Sequence, residues 1–202
     1  ITVKDAGEFT HALHQLNEGD KLGIRGSYGH GFNVDFKDSN VLVIGGGVGM
    51  APINAIAIEL LKKGNNVDVI TAGITYDELL FLNLKDLGAS VHPCTDDGSF
   101  GFKGFATDCA LELFKDKDFD FVFVCGPEIM MKGLYDILNE KDVDYEFSLE
   151  RYMKCAIGIC GQCCLDNNGW RVCVEGPVFN KENIAKIDEF GKYKRDASGV
   201  KL

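Results

Sequence analysis

Hydrophobic positions between residues 40 and 150 follow two periods that alternate along the chain. Short apolar runs are each followed by a stretch in which apolar residues recur every three or four positions. The runs predict buried strands, and the longer period predicts helices that bury one face. Strands are predicted at residues 41–44, 67–71, 90–93, 119–125 and 145–149, and helices at 51–63, 78–87, 107–114 and 128–139. The alternation indicates a doubly wound α/β domain, a parallel sheet covered on both faces.

The first 36 residues have a weaker pattern. Residues 1–4 and 21–26 resemble short strands, a helix is predicted from Gly7 to Leu16, and a glycine-spaced loop is predicted at 27–32. Two short strands and one helix cannot close a core of their own. They are expected to pack on the α/β part of the chain or on further chain, and the start at Ile1 without Met predicts a cut end.

After Glu150 the alternation ends and a segment rich in Cys and Gly begins. The sequence therefore predicts three parts: a remnant at 1–36, an α/β nucleotide-binding domain at 37–150, and a small Cys-rich domain at 151–202.

Charge and composition narrow the possible partners. The net charge of −10 would repel a phosphate backbone, so nucleic acid is not an expected partner. No stretch approaches the ~20 apolar residues of a membrane span, so no membrane partner is expected either.

The chain has eight cysteines, five of them within nineteen residues. A secreted disulfide scaffold would be shorter and more evenly crosslinked. Clustered cysteines indicate metal ligation instead, and reducing cytoplasm is the expected compartment.

A glycine-rich segment at 45–52, Gly-Gly-Gly-Val-Gly-Met-Ala-Pro, joins the first strand of the predicted sheet to its helix. Glycines let the backbone turn sharply and approach a pyrophosphate, whose charge meets the amides of the helix N-terminus. A purely structural turn is the alternative. The predicted dinucleotide contacts are Gly45, Gly46, Gly47, Gly49 and Pro52.

The identity of the nucleotide depends on the residues after the second predicted strand. No Arg or Lys stands there to meet a 2′-phosphate, and Asp77 and Glu78 would repel one. NAD is therefore expected rather than NADP.

Cys125-Gly126-Pro127 stands at the end of the strand predicted at 119–125. Ligands of open α/β sheets bind outside the carboxyl ends of the strands, so Cys125 is the candidate catalytic residue beside a nicotinamide, with Gly126 and Pro127 as cofactor contacts. Alternatively, Cys125 packs as a small hydrophobe. Asp97, after the third strand, is predicted to contact ribose or to cap a turn.

Cys155, Cys160 and Cys163 are spaced C-x4-C-x2-C, and nine residues separate Cys163 from Cys173. This is the plant-type [2Fe–2S] spacing, in which a loop wraps the cluster and a distant cysteine closes it. Zinc is the competing metal, although structural zinc usually takes two paired knuckles. Cys164 is left over and is interpreted as structural.

With these motifs together, the chain resembles the electron-transfer subunits of NAD-dependent dihydroorotate dehydrogenase, within the ferredoxin–NADP reductase superfamily. The resemblance spans essentially the whole chain and rests on the motifs at 7–10, 26–32, 45–52, 95–99, 125–127 and 155–179. It implies that residues 1–36 are part of an antiparallel FAD-binding barrel. The FAD contacts that it implies are Val3, Lys4, Asp5, Gly7, Phe9 and Thr10.

The resemblance also implies an NAD-dependent flavin and iron–sulfur oxidoreductase subunit. Electrons would pass between a catalytic dehydrogenase subunit, in pyrimidine biosynthesis, and NAD through the [2Fe–2S] cluster and FAD. Two alternatives stay open: a subunit of a sulfide dehydrogenase or ferredoxin–NAD(P) oxidoreductase, and a zinc-stabilised nucleotide-binding module without redox activity.

Overall fold

A seven-stranded sheet forms the centre of the computed structural model, which describes all residues 1–202. Its spatial order is β4-β3-β2-β1-β5-β6-β7; β1 to β6 are parallel, and β7 is antiparallel to β6. The strands are β1 (Asn40–Gly46), β2 (Asn66–Gly73), β3 (Ser90–Thr95), β4 (Phe102–Lys103), β5 (Phe121–Cys125), β6 (Asp144–Ser148) and β7 (Val178–Asn180). The chain order reverses between β1 and β5, which is the point where open α/β sheets bind ligands.

Helices cover both faces of the sheet, as predicted. The helices are α1 (Glu8–His14), α2 (Met50–Lys62), α3 (Ala106–Asp116), α4 (Glu128–Asn139) and α5 (Lys181–Ile184). Side chains of α2 pack with Val41 and Val43 on one face, while α3 and α4 pack with Leu42 and Ile44 on the other. Neighbouring residues of β1 thus enter opposite cores, as the period of two along a strand requires. The doubly wound prediction is confirmed.

The helix predicted at 78–87 is wrong. Two short 3₁₀ turns, Tyr76–Glu78 and Leu82–Leu87, occupy this stretch, and Phe81 between them is left-handed at φ 57°. The apolar residues at 79–82 are contiguous rather than spaced by three or four, so they give no continuous helical face. Leu84 is the residue of this stretch that reaches the core.

The strands predicted at 1–4 and 21–26 do not form, whereas the helix predicted after Gly7 is present as α1. Neither segment has a partner strand beside it, and a strand without a hydrogen-bonded neighbour is not stable alone. Further along, Phe32, Val34 and Phe36 pack on the α2 face of the sheet. Phe32 contacts Phe123 edge-on at 5.4 Å, and Phe36 lies 4.7 Å from Phe121, both between ring centres.

Residues 151–202 are mostly irregular and lie at the β6 edge of the sheet, where β7 joins it. Leu165, Val172 and Phe179 share one core with Met131 and Leu134 of α4. The segment is thus packed on the α/β layer through a continuous hydrophobic core. None of the helices is both long enough and apolar enough to span a membrane.

Candidate functional site

The glycine-rich segment forms the turn between β1 and α2. After Gly46 a single 3₁₀ turn, Gly47–Gly49, leads into α2. Gly47 is left-handed at φ 51°, and a Cβ there would meet no atom within 4 Å, so this part of the turn faces open space. Pro52 lies in the first turn of α2, where its missing N–H has no intrahelical role. The N-terminus of α2 therefore adjoins an open space in which an anionic group fits.

The turn after β5 packs directly against the glycine turn. A Cβ on Gly49 would lie 2.5 Å from the carbonyl oxygen of Cys125, and a Cβ on Gly126 would lie 3.0 Å from the amide nitrogen of Gly46. Since real Cβ atoms do not come within 3 Å of backbone atoms, position 49 requires glycine, and any other residue at position 126 would make a tight contact. The two motifs that the sequence separates by some eighty residues thus form one cleft, with Pro127 leading into α4 beside them.

Cys125 is held as a neutral thiol in this cleft. Burial raises the pKa of its thiol to about 11, although a hydrogen bond with Ser148 opposes that shift. A protonated thiol is a poor nucleophile. The site is therefore suited to positioning a flat ring beside Cys125 and not to covalent catalysis through its sulfur.

A row of paired residues crosses four strands at the carboxyl edge. Gly45 pairs with Cys125, Cys125 with Ser148, and Ser148 with Val178. Neighbouring strands lie about 4.8 Å apart, so the backbones at Cys125 and Val178 are roughly 10 Å apart. Val178 stands five residues after Cys173. The nucleotide cleft and the cysteine segment therefore adjoin one another at the same edge of the sheet.

Asp97 lies in a turn at the carboxyl end of β3. Its carboxylate accepts a hydrogen bond from the Ser99 amide at 2.8 Å, and hydrogen bonds from Ser99 lower the pKa of its carboxyl. Ser99 also accepts a hydrogen bond from the amide of Tyr76, after β2. Asp97 therefore caps this turn, which is one of its two predicted roles. Its negative charge lies near that of Asp77, at the carboxyl ends of β3 and β2.

The loop that begins at Cys155 turns its amides toward sulfur. Ala156, Gly158 and Gly161 all have left-handed backbone, at φ 57°, 80° and 72°. These turns bring the amides of Ile157 and Cys160 to 3.5 and 3.4 Å from the Cys155 sulfur. The amide of Ile157 and then that of Cys160 lower the pKa of the Cys155 thiol to about 6. The loop therefore stabilises a thiolate, the form that binds metal.

The four predicted cysteines meet as two pairs. The thiol of Cys160 adds to the effects that lower the pKa of Cys155, while burial and the neighbouring Cys163 thiol raise the pKa of Cys173, on which the charge of Cys155 also acts. The amide of Val172 donates to the Cys163 carbonyl at 3.1 Å, so the chain just before Cys173 lies beside the loop that holds the other three cysteines.

Two pairs of thiols fit a [2Fe–2S] cluster, in which four cysteines are divided between two irons. No three His, Cys, Asp or Glu side chains converge as ligands of a single metal ion. Cys164 is half-buried outside both pairs, and burial raises the pKa of its thiol. The donor set, the two pairs and the sulfur-directed amides are therefore compatible with the predicted cluster.

The residues predicted to contact FAD lie together on one exposed segment, at 3–10. The hydroxyl of Thr10 accepts hydrogen bonds from the amides of Ala6 and Gly7, at 2.8 and 3.0 Å. These amides cap α1 and are not turned toward an open cradle. The flavin ring is not enclosed by the other predicted contacts, Val3, Lys4, Asp5 and Phe9, which only add to the protein surface. The segment alone therefore does not form a closed flavin site.

Sequence reasoning missed three arginines that hold the cysteine segment. Arg25 donates to the Cys155 carbonyl at 2.9 Å, and Arg171 donates to the Gly158 carbonyl at 3.0 Å. Arg151 pairs with Glu128 at 2.7 Å and with Glu189 at 2.6 Å. Arg25 and Arg151 contact residues far away in the chain, and no motif spacing links Arg171 to Gly158, so no local signal could have found these contacts.

The sequence is similar to one family of proteins over its whole length. Residues 150–185 match the family model for the iron–sulfur cluster binding domain of dihydroorotate dehydrogenase B. The whole chain is 52% identical to a probable dihydroorotate dehydrogenase B (NAD(+)) electron transfer subunit from Methanothermobacter thermautotrophicus, of which it covers 75%. It is 49% identical to the subunit of the same description from Methanocaldococcus jannaschii, of which it covers 78%.

Among solved structures, one from work on an NADH-dependent reduced ferredoxin–NADP oxidoreductase superposes with a TM-score of 0.79 and 33% identity. The match covers 94% of this chain and 70% of that one. A flavohemoglobin from Malassezia yamatoensis with bound FAD and heme superposes with a TM-score of 0.52 at 20% identity, over 73% of this chain and 42% of that one. The second likeness concerns the fold alone.

Proposed function

The chain belongs to the family of electron transfer subunits of dihydroorotate dehydrogenase B (NAD(+)), and from this premise we propose which of its residues carry the electron transfer. In this proposal Cys155, Cys160, Cys163 and Cys173 hold a [2Fe–2S] cluster. The turns at 45–52 and 125–127 bind NAD, with Cys125 beside the nicotinamide.

The chain is an electron-transfer subunit that works with a catalytic dehydrogenase subunit in pyrimidine biosynthesis, and its cofactors are an iron–sulfur cluster, FAD and NAD. When bound, FAD exchanges electron pairs with nicotinamide and single electrons with the cluster. We propose further that the subunit itself oxidises or reduces the nicotinamide. We also keep the division at 1–36, 37–150 and 151–202 as a proposal for its functional parts.

The chain's own groups have distinct tasks in this scheme. Amides at the start of α2 bind the pyrophosphate, and Gly126 lets the nicotinamide approach the backbone. The neutral thiol of Cys125 orients the ring without reacting. Amides of the loop at 155–161 stabilise the thiolates that ligate iron. The acidic rim at Asp77 and Asp97 disfavours a 2′-phosphate, which makes NAD the preferred nucleotide.

One observation carries the proposal: the two neighbouring cysteine pairs, with the amides of Ile157 and Cys160 at 3.5 and 3.4 Å from the Cys155 sulfur. The row from Gly45 to Val178 supports it, because it gives the two sites a common edge. Electron transfer needs such proximity, and a zinc-stabilised module does not.

The test is the visible spectrum and metal content of the anaerobically purified full-length protein. We expect a brown protein with two irons and two acid-labile sulfides per chain, whose colour is bleached by NADH when flavin is bound. A colourless protein with stoichiometric zinc would contradict the proposal. NADPH should bleach the protein more slowly than NADH.

A second candidate is a subunit of a ferredoxin–NAD(P) oxidoreductase, favoured by the superposition at TM-score 0.79. Co-purification separates the two. A dihydroorotate-oxidising flavoprotein as partner supports the first candidate, and a large iron–sulfur flavoprotein that lacks this activity supports the second.

A further inference from the structure

The loop at 25–31, which joins the N-terminal segment to the sheet, contacts both ends of the cysteine segment. At one end, the Arg25 guanidinium donates to the carbonyl of Cys155 at 2.9 Å. At the other, the amide of His30 donates to the carbonyl of Gly176 at 2.6 Å. A Cβ on Gly29 would lie 2.0 Å from that same carbonyl oxygen, so the approach requires glycine at position 29. The loop is therefore closely fitted to the segment that bears the four cysteines.

The guanidinium of Arg25 is held in place by its neighbour Tyr28. Its central carbon lies 5.6 Å from the centre of the Tyr28 ring, within the range of a cation–π contact. The hydroxyl of Tyr28 is buried without a hydrogen-bond partner, so the ring's contacts, not its hydroxyl, account for its position. A planar guanidinium can stack on an aromatic ring and donate a hydrogen bond to a carbonyl at the same time. A lysine ammonium makes this combination of contacts less well.

Arg25 brings a positive charge to the first cysteine of the loop. The chain carries a net charge of −10, and a [2Fe–2S] core ligated by four thiolates adds further net negative charge. Reduction of a cluster adds one electron, and a cation close to a ligand stabilises the reduced form. Net charge and hydrogen bonding around the sulfurs are among the factors that set cluster potentials.

We propose that Arg25 is a positioning residue that fixes the loop of the first cluster ligand and raises the reduction potential of the cluster. The inference rests on the proposed function, because it requires the four cysteines to hold that cluster. It assigns a role to the glycine-spaced loop after Arg25, which neither the nucleotide cleft nor the cysteine spacing explains.

The test compares Arg25→Met, Arg25→Lys and Lys62→Met in the full-length protein purified anaerobically with its partner subunit. Lys62→Met is the matched control, since it removes one exposed positive charge from α2, on the sheet face opposite α4. Iron and sulfide content measure whether the loop is positioned to hold the cluster. A redox titration, monitored by electron paramagnetic resonance, measures the midpoint potential of the cluster. We expect Arg25→Met to shift the potential to more negative values, Arg25→Lys to restore part of the shift, and Lys62→Met to match the wild type.

Loss of iron in Arg25→Met with retention in Arg25→Lys would also support the inference. Potentials in both Arg25 variants equal to that of the wild type would overturn it, as would equal iron loss in both. A wild-type protein that holds no iron–sulfur cluster at all would instead overturn the proposed function. The two failures are therefore distinguishable.

Discussion

In residues 40–150 the groups that face the nucleotide cleft are mostly backbone, whereas in residues 151–202 the candidate ligands are side chains. The glycine turn is fixed by β1 and α2, and the turn after β5 closes against it. The cysteine loop has no regular element between Cys155 and Cys173. Its shape depends on left-handed residues, on amides aimed at sulfur and on distant arginines. The first region has a site made by the sheet, while the second has a site that metal binding completes.

The largest expected effect concerns the second region. Cys160→Ala removes the one exposed ligand and should abolish the cluster, because a two-iron cluster requires all four thiolates. The protein should lose its brown colour and its iron, and electron delivery to the partner should fall to background, whereas NADH binding at the cleft should stay within about twofold.

Cys164→Ala is the matched control, since Cys164 lies outside both pairs, and it should keep the cluster. A full cluster spectrum in Cys160→Ala would show that the ligand assignment is wrong. A loss of NADH binding in that variant would show that the two regions are not separable.

The second effect concerns thiol reactivity in protein stripped of iron. The pKa of Cys155 is lowered to about 6 and that of Cys125 is raised to about 11, so at pH 7 Cys155 is mostly thiolate and Cys125 almost entirely thiol. Alkylation by iodoacetamide, resolved by mass spectrometry, should be roughly a hundredfold faster at Cys155, because its larger thiolate fraction is partly offset by the lower nucleophilicity of a low-pKa thiolate. The rate at Cys155 should level off above pH 7, whereas the rate at Cys125 should still rise at pH 10. If the alkylation rates of Cys155 and Cys125 rose over the same pH range, the predicted difference between the two regions would be wrong.

The third effect tests how firmly the two regions are joined. The Arg151 side chain is 3% exposed; it pairs with Glu128 of the first region and with Glu189 of the second, which is 1% exposed. Arg151→Met would leave a buried carboxylate unpaired, which destabilises proteins by about 3–5 kcal/mol. The control, Arg195→Met, breaks a pair with Asp166, which is 30% exposed, and should cost at most about 1 kcal/mol. Urea unfolding measures both, and equal losses would show that the buried network does not join the regions.

The smallest effect concerns the first region. Gly49→Ala places a Cβ 2.5 Å from the Cys125 carbonyl oxygen, so the two turns must separate. We expect about 1–3 kcal/mol of destabilisation and roughly tenfold weaker NADH binding, by denaturation and fluorescence titration. Gly23→Ala is the control, because a Cβ there meets nothing within 4 Å, and it should be neutral. Unchanged NADH affinity in Gly49→Ala would mean that the cleft is not the nucleotide site.

Much of the architecture was predictable because strand and helix periods are local. The sequence predicted β1, β2, β3, β5 and β6 and three of the helices that cover them. The short strands β4 and β7 were missed, since two or three residues carry no readable period. The prediction of a helix at 78–87 was wrong because an apolar run indicates that residues are buried but does not indicate their backbone conformation.

The sequence by itself determined the chemistry of this protein: four cysteines at cluster spacing and glycines between a strand and a helix. These signals are local, since each arises from residues close together in the chain. Only the tertiary structure decided which motifs meet. The contact between Gly49 and Cys125, the edge shared through Ser148 and Val178, and the approach of Arg25 to Cys155 all join distant residues. Such contacts depend on sheet order and packing, which no short stretch of sequence encodes.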